Sequence, residues 1–321
     1  MRIRIPRGWE IAERRVTPEA AVIGRRAALA GAGAGLAGLA LAGGARAQAT
    51  TPSGAAPLGA TGPMNATYKA GRDITAEKYA TTYNNYYEFS ESKNLWRDAQ
   101  TMKLRPWTVR IEGMVPNPRT IAIDDLFRQV SFEERIYRHR CVETWAMTVP
   151  WTGFPLSQLV KLAEPLGSAK YVVFETVQQQ DVMSGLGAPF YPWPYTEGLA
   201  IDEAMNDLAF IATGLYGKPL PPQNGAPLRL TTPWKYGFKS AKAIVKVTFT
   251  DKKPATFWEA IQPSEYGFWA NVNPDVPHPR WSQASETLLG TNERVPTRIY
   301  NGYGEFVAGL YEARKDQKLF M

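Results

Sequence analysis

Residues 136–145 read Ile136-Tyr137-Arg138-His139-Arg140-Cys141-Val142-Glu143-Thr144-Trp145, and they hold the one cysteine of a 321-residue chain. Three basic side chains precede the thiol. Cationic neighbours lower a thiol's pKa and favour the thiolate, the form that binds metals and attacks electrophiles. Three fates are open to Cys141 on this reading: a small buried hydrophobe, a metal ligand or a nucleophile. As a ligand, a thiolate is a soft donor that suits a soft or high-valent transition metal over magnesium or calcium. One protein ligand cannot hold such an ion tightly, so an organic cofactor would complete the coordination. Glu143 is close enough in sequence to face that metal and relay a proton; the alternative is a plain ion pair with Arg138 or Arg140. His139 is equally open and is not assigned as a ligand. His278, between two prolines, reads as a loop residue.

The composition narrows the field around this motif. With 44% apolar and 12% aromatic residues, the chain is neither disordered, collagenous nor a coiled coil. One Cys and two His exclude an intramolecular disulfide, a four-ligand Cys/His zinc site, an Fe–S cluster and a Cys-x-x-Cys-His haem site. Residues 1–49 carry eight Arg against three Glu, five of the seven net positive charges. The basic pI is therefore mostly a property of the leader, and no nucleic-acid partner is expected.

That leader reads as an export signal. Arg25-Arg26 precedes Ala27–Ala42, an uncharged run of Ala, Gly and Leu, and small residues at Ala45, Ala47 and Ala49 suit a signal peptidase. The run is shorter than the ~20 strongly apolar residues of a membrane span. A paired Arg before a weakly apolar run fits twin-arginine export, although Ala27-Ala28-Leu29 replaces the usual Phe-Leu-Lys; ordinary secretory export and a retained anchor are the alternatives. The twin-arginine route carries folded proteins, typically with a cofactor already in place. Residues 50–72, rich in Ala, Thr, Pro and Gly, are expected to be a flexible linker, and residues 73–321 a single domain.

Within that domain the patterns are mixed. Thr108–Val115 alternates as a half-buried strand, and Ala243–Thr250 does the same. Tyr171–Val177 suits a strand buried on both faces. Leu156, Leu159, Val160 and Ala163 after Pro155 describe an amphipathic helix. Short helices are expected at Asp124–Phe127 and Ile201–Asn206, and a strand at Leu228–Thr232, whereas Leu208–Leu215 is undecided between helix and strand. The absence of βαβ alternation and the abundance of Pro (25 residues) point to an α+β fold with long ordered loops.

Five segments in order carry a specific resemblance: Tyr83–Phe89 (YNNYYEF), Arg135–Trp145, Pro221–Leu230 (PPQNGAPLRL), Pro233–Lys239 (PWKYGFK), and Asn271–Pro274 with His278–Ala284. Together they resemble the family of periplasmic protein-methionine-sulfoxide reductase catalytic subunits, from about Tyr79 to near Tyr311. The resemblance implies a sulfite-oxidase-type molybdopterin-binding fold, with mixed short sheets, peripheral helices and long loops. It implies that Cys141 ligates molybdenum, whose other sulfurs come from a single molybdopterin without a nucleotide. Asn84, Tyr87, Glu88 and Thr176 match pterin-contacting positions, Asn224 and Arg229 match positions beside the pterin and its phosphate, and Ser240, Ala241 and Lys242 match the phosphate loop. The residue types suit these tasks. Arg229 and Lys242 supply charge to a phosphate, small Ser240 and Ala241 permit close approach of backbone N–H groups, and Asn224 donates and accepts at once.

The reaction so implied is oxygen-atom transfer from methionine sulfoxide in oxidised periplasmic proteins, with electrons from a haem-containing inner-membrane subunit. The enzyme would then sit in the periplasm, peripheral to that membrane, with Tyr191, Trp193, Tyr266, Phe268 and Trp269 as candidate entrance aromatics. Two rivals remain at this level: a sulfite oxidase-like molybdoenzyme and a non-catalytic exported binding protein. Sulfite oxidases commonly place Ala-Gly-Asn-Arg-Arg directly after the cysteine, where this chain has Val142-Glu143-Thr144-Trp145. The stretch after residue 250 is also short for the ~100-residue immunoglobulin-like domain of that group.

Overall fold

The computed structural model describes residues 61–321; the leader over 1–49 and the first part of the linker, 50–60, lie outside them. Alternation in the sequence builds the first of two mixed sheets. Its spatial order is β2 (Arg119–Ala122), β1 (Thr108–Gly113), β10 (Ile244–Thr250), β5 (Tyr171–Thr176), β6 (Thr196–Ala200). β1 and β10 run parallel, Arg110 opposite Lys246, and the other neighbours are antiparallel. Val109, Ile111, Val172, Phe174, Val247 and Phe249 turn to one face and are buried. Across the other face Lys246 pairs with Glu175 at 2.5 Å and Glu112 at 3.5 Å. That half-exposed charged face corrects the expectation for Tyr171–Val177, whose β5 strand is buried on one side only.

The second sheet runs β12 (Arg294–Pro296), β11 (Ser285–Leu288), β4 (Trp145–Pro155), β7 (Phe210–Leu215), β8 (Lys218–Pro219). β3 (Glu133–Arg140) lies along β4, and β9 (Arg229–Thr231) along β7. Every residue of β7 is buried, which removes the alternation that would have marked it as a strand. Helix Leu156–Ala163 follows Pro155, buries the four apolar residues of its stripe, and stops at Glu164 in the left-handed region. Nearly all the buried apolar side chains of the described residues form one continuous cluster.

Ordered packing begins earlier than Asp73, which corrects the outer boundary of the linker. Asn65 N donates to Glu134 O at 2.8 Å, and Glu134 N donates to Pro63 O at 2.9 Å. Tyr68 is buried and its hydroxyl bonds Asp207. β3 has β4 on one edge only, so the backbone groups of its free edge take residues 63–65 as partners.

Candidate cofactor-binding active site

Cys141 stands at the tip of the β3–β4 hairpin. Arg140 faces Ala146 as the last paired residues; Cys141 N donates to Trp145 O at 2.9 Å and Thr144 N to Cys141 O at 3.1 Å. Thr144 takes φ 71°, the left-handed closing position of a three-residue hairpin loop. Strand alternation then divides the basic residues. Arg138 turns away to the carbonyls of Ala70 and Asn301. Arg140 turns away to Glu286 at 2.9 Å and Gln283 at 2.8 Å. His139 stays on the thiol's side, against Trp145, with ring centroids 5.7 Å apart.

The result corrects the expected electrostatics of the free thiol. Burial, then the charge of Glu143, pushes the Cys141 pKa up to about 12, and Lys93 and Arg140 do not offset them. Glu143 pairs with neither arginine of its hairpin. Burial works against its ionisation, but hydrogen bonds from Lys93 and Asn85 and the charge of Lys93 outweigh it and hold the carboxyl below its usual value. Its Oε2 lies 3.7 Å from Cys141 Sγ. Burial, with the charges of Arg229 and Lys242, lowers His139 to about 3, so its ring is neutral.

Most of the expected binding residues meet Cys141 in one cleft of about 820 Å³, its open mouth included. Asn84, Tyr87, Glu88, Asn224, Arg229, Ser240 and Lys242 line it together with Cys141 and Glu143. Thr176 and Ala241 are not in the lining. Thr176, at the end of β5, donates to Glu88 at 3.0 Å, and Ala241 O accepts from Leu230 N at 2.8 Å, so each holds a lining segment from behind. Gly237 is in the wall for a steric reason: a Cβ there would lie 2.5 Å from His139 Nε2.

Two cations, Arg229 and Lys242, line the same cleft. Arg229 is buried and donates only to carbonyls, Asn224 O at 2.9 Å, Ser240 O at 3.3 Å and Leu230 O at 3.3 Å. Burial lowers it to about 10. Lys242 bonds Asn85 O and lies over the Tyr86 ring; burial and the charge of Arg229 lower its pKa. Buried ion pairs fix the cleft's supports: Lys235–Glu203 and Lys239–Glu197, each 2.5 Å, flank Tyr236-Gly237-Phe238. Such pairs gain little net stability but allow few alternative arrangements.

The mouth is aromatic. Tyr87 meets Trp258 edge-on at 4.9 Å, and Trp258 meets Tyr266 at 5.2 Å. Of the entrance candidates, Tyr266 lines the cleft, Tyr191 and Trp193 pack behind the rim, and Phe268 and Trp269 belong to the core. Asn85, Lys93, Tyr195, Phe238 and Trp258 were missed by sequence reasoning. Asn85 and Phe238 fall inside quoted segments; Lys93, Tyr195 and Trp258 lie in no motif, and only the fold brings them here.

The donor set can be tested against a molybdopterin. Among the described residues no group of three or more His, Cys, Asp or Glu could hold a metal ion, so a metal at Cys141 would take its remaining ligands from the cofactor. Asn84 Oδ1, Asn85 Oδ1, Asn224 Oδ1 and the Tyr86 hydroxyl are buried without partners, all on cleft residues, and buried polar groups need partners. A soft sulfur, unpaired amide oxygens and the Arg229 guanidinium, which meets carbonyls and no carboxylate, fit a metal-bearing pterin with a phosphate tail.

Comparison with known proteins agrees with this chemistry. Residues 97–258 match the family "Oxidoreductase molybdopterin binding domain". The chain is 46% identical to the protein-methionine-sulfoxide reductase catalytic subunit MsrP of Burkholderia mallei, over 98% of this chain and 96% of that one. It is 49% identical to the Xanthomonas campestris pv. campestris protein of the same name, over 79% and 81%. The sulfane dehydrogenase SoxCD of Paracoccus pantotrophus aligns at 18% identity and TM-score 0.40, over 47% of this chain and 40% of that one. The fold is α+β, and the chain belongs to the molybdopterin-binding oxidoreductases, in the family of protein-methionine-sulfoxide reductase catalytic subunits.

Proposed function

We propose that this oxidoreductase returns methionine sulfoxide in exported proteins to methionine, using a molybdenum–single-molybdopterin group held by Cys141. The observation that carries the reading is a solitary buried thiol facing a cleft that also presents Arg229 without a carboxylate partner. When bound, that group supplies oxygen acceptance from the sulfoxide and the two-electron redox change.

The chain's own residues do the rest. Cys141 Sγ anchors the metal. Asn84, Asn224, Tyr87 and Glu88 meet the pterin, with Thr176 orienting Glu88. Arg229, Ser240 and Lys242 take the phosphate, with Ala241 fixing the loop between them. Tyr87, Trp258 and Tyr266 bind the methyl and methylene groups of the substrate side chain and shed water around it. Glu143 Oε2 is the atom placed to take or return a proton. Its negative charge beside the sulfur disfavours an oxyanion such as sulfite and leaves a neutral sulfoxide unaffected.

Electrons must come from outside, because each turnover consumes two and a single Cys leaves no ligand set for an iron–sulfur cluster that could relay them. The relatives are named catalytic subunits, which implies a partner; a haem-bearing inner-membrane subunit suits that role. Residues 1–49 would direct export by the twin-arginine route into the periplasm, with residues 73–321 and the segment from Pro63 that packs on them as the catalytic domain. The test is metal and pterin analysis of the mature protein, followed by two assays. Reduced protein is given a methionine-sulfoxide peptide, and oxidised protein is given sulfite. Turnover of the peptide with stoichiometric molybdenum is expected; turnover with sulfite alone would overturn the assignment.

A further inference from the structure

Only one side-chain N–H among the described residues reaches Cys141 Sγ, Asn85 Nδ2 at 3.5 Å. The same amide nitrogen donates to Glu143 Oε2 at 2.9 Å. Glu143 is gripped from the far side by Lys93, whose Nζ lies 2.7 Å from Oε2 and 2.9 Å from Oε1. Lys93 also closes its own loop, its carbonyl accepting from Asn84 N at 3.1 Å. Asn85 is fixed from behind where its carbonyl accepts from Lys242. The amide's direction is therefore set electrostatically, since turning it over would put Oδ1 against the Glu143 carboxylate.

We infer that Lys93 is a positioning residue: through Glu143 it turns the Asn85 amide N–H onto Cys141 Sγ and so sets how strongly that sulfur donates to its metal. This rests on the proposed cofactor. Hydrogen bonds to a ligating sulfur draw electron density from it and raise the potential of the metal it holds. Glu143 is partly exposed, with 30% of its side-chain surface open. Without Lys93 its carboxylate is free to swing toward water, and the amide loses its anchor.

The experiment compares wild type with Lys93→Met, Lys93→Arg, Asn85→Ala and the Lys93→Met/Asn85→Ala double variant as holoenzymes of measured molybdenum content. The readouts are the sulfur-to-metal charge-transfer band and the reduction potential. Lys93→Met is expected to move the band to lower energy and the potential to a more negative value, and Lys93→Arg to recover both. Asn85→Ala should reproduce the shift, and Lys93→Met should add nothing in that background. In cofactor-free protein, where loading has no influence, the Asn85 side-chain amide should exchange with solvent at least tenfold faster in Lys93→Met than in wild type. A Lys93→Met protein with the wild-type band and potential overturns the inference, as does an equal shift in the Asn85→Ala background, which would make Lys93 a bare charge. Wild-type protein without molybdenum or without the band would instead overturn the cofactor reading, and this inference with it.

Discussion

At the scale of one residue, Cys141 shows how neighbours in sequence and neighbours in space diverge. Arg138, His139 and Arg140 promise a thiolate, but alternation sends both arginines to the opposite face, and the free thiol is held protonated by burial. A metal bond, not a cationic environment, would have to supply the driving force for losing that proton. Cys141→Ser should abolish reductase activity while the melting temperature stays within about 5 °C of the cofactor-free wild type, since one chalcogen replaces another at nearly constant volume. Activity above half of wild type would refute the ligand role. Arg229 teaches the converse lesson. On a strand of unknown setting it reads equally well as a solvated charge; only the structure shows it buried among carbonyls with its charge unmatched.

Among elements, the β3–β4 hairpin is the part that must be right. Its loop closes through Thr144 in the left-handed region, where a β-branched residue costs about 1–2 kcal/mol. Glycine relieves that cost but gives back about 0.5–1 kcal/mol in unfolded-chain entropy. Thr144→Gly is therefore expected to be neutral or to stabilise by up to about 1 kcal/mol, with the geometry at Cys141 kept, whereas Thr144→Val gains nothing. Denaturant unfolding of the two variants checks this, and a Gly variant clearly weaker than the Val variant would show that side-chain contacts govern the turn. Other elements were legible to different degrees. Helix Leu156–Ala163 was readable to its ends because Pro155 starts it and a single apolar stripe faces the core. Leu208–Leu215 could not be read, because a strand buried on both faces has no polar side to betray its period. Residues 61–72 looked like linker by composition, and the free edge of β3 recruited part of them.

For the whole molecule, the cleft draws on both sheets. Cys141 and Arg229 come from the sheet built on β4 and β7, Lys242 from the segment leading into β10 of the other, and residues 84–88 add a third wall that Thr176 at the end of β5 supports through Glu88. A ligand spanning these parts should act as a brace. Cofactor-loaded protein is expected to melt about 5–10 °C above protein made without molybdopterin, the shift for a ligand held at some hundredfold excess over its Kd. Thermal unfolding of the two forms is the check, and coincident transitions would mean the cofactor is not what the cleft was built around.

Local rules sufficed for the α+β class and the amphipathic helix, because composition and period are properties of the chain read in line; the residues expected around Cys141 came instead from the resemblance of five ordered segments. Which of those residues share a cavity, that Thr176 and Ala241 stand behind it, that Glu143 answers to Lys93, and that the thiol is shielded from its basic neighbours were decided by tertiary structure. Burial and charge pairing depend on what lies across a sheet or a loop, 50 or more positions away for Lys93 and Glu143, and no short stretch of sequence contains that distance.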